Sequence, residues 1–340
     1  MYKQLFRHQL KQAVFPIIGF VLLAVFTYGF GAFNLVESLE DASIYGDGIA
    51  EPYLLTQVLV SPIFTGVAAV LIAIFAILLI GAERGSGRSG MLHALPFPRR
   101  NLFFIKWLIG AGLLLVIPLI GLGVAAFILQ GIGGIPLGDW TTPSQLAEMF
   151  AYHFLFDLAV FSLFLLAGTL AGDVIGQLLM GLFLLFLNLL TVGVIYTVML
   201  SGFGEDFVME GQIDRLVEPL LTTFSLFSLF GAGQEVFNSN ISTVPNAVYA
   251  ICLTLGATLL AAYLYPRVHN EMTGRFTVFP KLRKPIVLIF TVYAVLLLAA
   301  FVSLFAPFQG TITQVFYWLA VLILAWPAFL AFRRLVGWRR

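Results

Sequence analysis

The sequence predicts an all-α, polytopic membrane protein of about eight transmembrane helices, and three observations carry that prediction. Of 340 residues, 60% are hydrophobic and 10% charged, with a mean hydropathy of +1.00, whereas soluble domains carry about a quarter charged residues. Apolar runs recur that are long enough for the roughly 20 helical residues needed to cross a hydrocarbon core of about 30 Å. Charge is also sorted by side. With eight spans, every Lys and Arg except Arg215 falls in the terminal segments and loops of one face. The carboxylates fall on the opposite face, apart from Glu83, Asp157, Asp173 and Glu271. Positive charge is retained on the cytoplasmic side, so both termini are predicted to lie in the cytoplasm, with the chain multi-pass in a plasma membrane.

Each element has its own justification. In the first eleven residues Tyr2, Leu5, Phe6 and Leu10 share one helical face, while Lys3, Arg7 and Lys11 repeat every fourth position on another. That pattern suits a helix lying in the headgroup plane. The apolar run of about 13 to 34 outlasts the roughly 7 to 15 residues of a signal-peptide core and is read as a retained first span. Further spans are placed near 57 to 82, 102 to 130, 147 to 171, 175 to 202, 243 to 266, 285 to 306 and 314 to 332. Residues 216 to 232, LVEPLLTTFSLFSLFGA, are also apolar, but a crossing there would reverse the charge asymmetry of everything that follows. A re-entrant or interfacial hairpin outside the membrane's cytoplasmic face is expected instead. The single cysteine, Cys252, excludes a disulfide framework within the chain and reads as a small buried hydrophobe.

The segment Glu83 to Arg99, ERGSGRSGMLHALPFPR, is charged and glycine-punctuated between two apolar runs. Leu92 and Leu95 stand three apart on one face of a short helix, and Pro96 should stop it. Glu83, Gly87, Leu92, Leu95, Pro96, Arg99 and Lys106 together resemble the loop between the second and third spans of type-2 ATP-binding-cassette (ABC) export permeases. Arg88-Ser89 occupies the place where Thr-Leu is usual in that family. The resemblance implies a cytoplasmic coupling helix, anchored by Glu83, that docks into a partner ATPase, with an interface helix before the first span and extracellular helices between the fifth and sixth. It covers residues 1 to 266 as a six-span permease core. Residues 267 to 340, a cytoplasmic loop plus two additional spans, depart from the six-span form, and the extra spans point to the longer bacterial branch of bacitracin, drug or acetoin-operon type. Implied partners are cytoplasmic ABC ATPase subunits and a second permease copy or paralogue within the bilayer, with no nucleic acid.

No G-K-[ST] phosphate loop occurs in the sequence. The chain is therefore read as no enzyme and as holding no cofactor of its own, ATP and magnesium being bound by the partner. Asp157 is placed about ten residues into the fourth span with His153 one turn away; an intramembrane acid is costly and suggests function. Its roles are a proton-linked step, a cationic substrate contact, or an interhelical hydrogen bond that pins two spans. His153 and Asp157 lack companions for a metal site, and none is expected. Asn188 and Thr191 in the fifth span are polar positions that pack helices together or line a path. The expected function is outward, ATP-driven movement of a hydrophobic or amphipathic substrate such as a lipid, wall precursor, peptide antibiotic or drug. The alternatives are a membrane sensor or signalling scaffold coupled to an ATPase, and a proton-driven carrier using Asp157.

Overall fold

In the computed structural model, the residues described are 2–45, 62–85, 98–133, 142–203, 244–268, 274–303 and 311–337, with 215, 217, 220–221, 223–226 and 305 between them. Side chains of 2–9, 11–13, 38–45, 62–65, 85 and 311 are not among them. Every regular element described is helical: α1 Tyr2–Tyr45, α2 Pro62–Gly85, α3 Arg99–Gly131, α4 Pro143–Leu170, α5 Val174–Thr197, α6 Val244–Leu264, α7 Arg283–Ser303 and α8 Thr311–Leu335. Each contains a stretch long and apolar enough to cross a bilayer, so the chain is an all-α, multi-pass membrane protein.

The segment expected as a separate interface helix is continuous with the first span, because α1 runs unbroken past Pro16. The fourth span starts earlier than its hydropathy suggests. Thr142 caps α4 by accepting from the Gln145 amide while the Gln145 side chain accepts from the Thr142 amide, and Pro143 fills the first turn, where no amide is missed. Cys252 corrects another expectation: it is exposed on α6. In a bilayer an outward small apolar side chain meets lipid at no cost, so apolarity did not imply burial.

α4 is the central post. Buried residues make up 78% of its most apolar window, against 50% or less in any other span. Small and polar side chains draw neighbours onto it. Ser162 is fully buried and accepts hydrogen bonds from Trp107 Nε1 of α3 at 3.1 Å and Thr258 Oγ1 of α6 at 3.2 Å. Gln177 of α5, also fully buried, donates through Nε2 to Ala76 O of α2 and Phe164 O of α4, both at 3.1 Å. Its amide fits because Gly81 and Gly168 face it. A Cβ on Gly168 would stand 2.6 Å from Gln177 Nε2, and one on Gly81 would stand 2.5 Å from Oε1. Gly168→Val is therefore expected to destabilise the solubilised protein by about 1–3 kcal/mol through overpacking. Adding Gln177→Ser should recover part of that loss in the same thermal-unfolding assay, which a simple loss of helix propensity would not allow.

The last two spans pair with each other and dock on α5. Phe183 meets Phe290 and Tyr293 edge-on, with centroids 4.6 and 5.5 Å apart, and Thr191 Oγ1 lies 2.7 Å from the Tyr293 hydroxyl. Thr191 thus packs α5 against α7, and it also borders the cavity beside Asn188. Beyond Thr197, α5 widens into a π-helical turn, Val198–Phe203. That turn is stitched to α7 by Ser303–Ser201, and to α8 by Trp318 Nε1 donating to Gly202 O at 3.1 Å.

Candidate functional site

The site is the root of the loop joining α2 and α3. α2 is apolar until its last turn, where Glu83 and Arg84 arrive together, both almost fully buried. Burying two opposite charges side by side is costly unless each finds a partner, and they turn to different helices. Glu83 forms an ion pair with Lys106 of α3. Lys106 also donates to Leu79 O at 2.5 Å, near the C-terminal end of α2, where the helix dipole favours a cation. Its ammonium lies 5.9 Å from the centre of the Tyr265 ring, at the end of α6. One lysine thereby joins α2, α3 and α6. Arg84 Nη1 donates instead to Gly168 O at 2.5 Å and to Ala171 O, carbonyls that the end of α4 leaves without helical partners.

The far root is fixed as well. Pro98 stands at the N-cap of α3. Arg99 Nη1 reaches Pro266 O and Val268 O at 3.4 Å, long contacts to the chain leaving α6. Arg100 lies over the Phe104 ring of its own helix. Arg99 is thus turned toward protein carbonyls. Gly87, Leu92, Leu95 and Pro96 lie outside the described residues.

The turn below α4 completes this layer. Asp173 caps α5, accepting from the Gly176 amide at 2.7 Å. The 274–278 stretch lies against it, with Gly274 N donating to Gly172 O and Val278 N to Leu170 O, both at 2.9 Å.

The polar residues expected inside the membrane are not gathered in one place. His153 and Asp157 are buried one turn apart on α4, the His153 ring nitrogen Nδ1 lying 3.3 Å from Met149 O. Tyr28 of α1, also buried, is within electrostatic reach of Asp157. Asn188 belongs elsewhere. From near the middle of its span it donates to Leu220 O at 2.7 Å and to Phe224 O, which brings the segment before α6 to mid-span depth. A cavity of about 260 Å³ adjoins it, walled from α4 by Leu163 rather than by His153 or Asp157.

No protein-family model matches the chain, and neither does any curated protein or solved structure. What the chain does must therefore be argued from its own residues. Sequence reasoning missed Arg84 as a structural residue, Gln177, and the Asp173 cap. Arg84 and Asp173 were visible only as charges at span ends, and Gln177 as one amide in an apolar run; which helix each would reach is a property of the bundle.

Proposed function

We propose that the chain is the membrane permease of an ATP-driven ABC exporter, moving a hydrophobic or amphipathic substrate outward with ATPase subunits supplied by other chains. The observation that carries this reading is the Glu83–Lys106 ion pair. The two residues that bound the coupling-like motif in sequence meet each other at the bilayer boundary, so the loop between them springs from a fixed base.

In this reading Leu92 and Leu95 present the apolar contact to the ATPase, and Arg84 and Lys106 transmit its movement. Arg84 leads to the end of α4, the post on which α2, α3, α5 and α6 pack; Lys106 leads to α3 and α6. ATP binding closes the ATPases, the loop is displaced, and the spans follow as packed units. Such a cycle requires the ATPase to bind the two arrangements of the loop with different affinity. Asn188 and its cavity lie beside the fifth span, where an amphipathic substrate has both apolar walls and a polar contact.

The test is co-purification from cells co-expressing the chain with an ABC ATPase encoded beside its gene. Wild type is expected to retain the ATPase, and Leu92→Asp with Leu95→Asp to lose it while eluting as a monodisperse membrane protein. Equal retention by both would remove the loop from the ATPase interface.

A further inference from the structure

At the end of the bundle where Asp173 caps α5, a cavity of about 500 Å³ opens between the turn after α4, the 274–276 stretch, the start of α7 and the end of α8. This volume falls in the range of small-ligand sites, roughly 300–1,000 Å³. Its described walls are Asp173, Gly274, Arg275, Phe276, Arg283, Leu335, Val336 and Gly337, of which Arg275 and Arg283 are cationic. Arg283 decides its chemistry. Its Nε and Nη2 atoms are buried and have no hydrogen-bond partner among the described residues. A guanidinium edge removed from water without an acceptor is strongly unfavourable. Here that edge belongs to a residue lining an open cavity.

The rest of the wall suits the same ligand. Arg283 begins α7, so the dipole of that helix adds positive potential where the guanidinium lies. Arg275 is exposed across the cavity. Gly274 and Gly337 hold positive φ angles of 82° and 69°, conformations that other residues rarely adopt, and no side chain narrows the space at either point. Asp173, the one acid on the described wall, spends an oxygen on the Gly176 amide. Its presence favours a ligand of low charge that also carries a hydroxyl or ammonium group.

We infer that this cavity binds a phosphate group through Arg283 and Arg275. Guanidinium and phosphate match as planar donor fork and paired acceptors. The phosphate can come from the headgroup of an inner-leaflet phospholipid, since the cavity sits where the spans leave the membrane on the positive side, or from a soluble phosphate.

The experiment uses the full chain, delipidated in a neutral detergent. Native mass spectrometry measures binding of dioleoylphosphatidylglycerol and of dioleoylglycerol, which has the same acyl chains and no phosphate. Thermal unfolding is followed in parallel with added inorganic phosphate. Wild type is expected to prefer the phospholipid over the diglyceride, and Arg283→Gln and Arg275→Gln to weaken that preference by roughly tenfold each. Stabilisation by inorganic phosphate without a phospholipid preference would uphold the site and make its ligand soluble. Should Arg283→Gln fail to fold, Arg275→Gln, whose side chain is exposed, decides alone. The inference is overturned if wild type shows no phosphate dependence in either measurement, or if the folded variants bind as wild type does.

Discussion

Lys106→Met is expected to destabilise the detergent-solubilised protein by about 3–5 kcal/mol, the usual cost of removing one member of a buried ion pair. Glu83 and Lys106 are 4% and 2% exposed, so water cannot take over from the lost partner. The variant also forfeits the Lys106 bond to Leu79 O. The double variant Glu83→Gln with Lys106→Met should cost less than the sum of the single changes, because the stranded carboxylate is then gone. Thermal unfolding in detergent reads both. A Lys106→Met protein within about 1 kcal/mol of wild type, the value of an exposed surface pair, would mean that the loop base is solvated.

Arg84→Met is expected to cost about 3 kcal/mol or more, from two hydrogen bonds made by a charged donor at roughly 1.5–3 kcal/mol each. Arg84 is buried, and its acceptors, Gly168 O and Ala171 O, lie where α4 ends with no residue left to supply amides. Arg84→Lys keeps the charge but loses the fork, so it should fall between wild type and methionine. The consequence for coupling is separable from stability. At a temperature where the variants remain folded, the ATPase should still co-purify with Arg84→Met, while substrate-stimulated ATP hydrolysis falls. Loss of stimulation without loss of binding is what a broken link between loop and α4 produces.

Much of the architecture was legible because the bilayer imposes it. Length and apolarity are enough to place eight spans, since charge and unpaired backbone are both costly in lipid. Inward and outward faces were less legible. Lipid and protein interior are equally apolar, so hydropathy does not separate Phe161, fully buried against Phe75, from Phe15, which is 86% exposed. Cys252 was misplaced for the same reason. Partners of polar residues were hidden too. Glu83 and Lys106 are 23 positions apart, and the resemblance in spacing marked both residues without pairing them; Arg84 with Gly168 is a contact across 84 positions that no local pattern records. Asn188 was legible as a polar residue in a span. Its hold on Leu220 and Phe224 depends on a segment whose apolarity alone would have made it a ninth span.

A loop between α2 and α3 that touches an ATPase, as proposed, is detectable by site-directed crosslinking. The chain has a single cysteine, Cys252, so Cys252→Ala gives a background in which Leu92→Cys and Leu95→Cys can each carry a short photoactivatable crosslinker. Co-expressed with the neighbouring ABC ATPase, both are expected to give a permease–ATPase adduct whose yield changes with ATP, while Ser239→Cys, on the opposite side of the membrane in the eight-span topology, gives none. An ATPase that co-purifies yet never crosslinks from Leu92 or Leu95, or that crosslinks equally from Ser239, would place its contact elsewhere than on the α2–α3 loop.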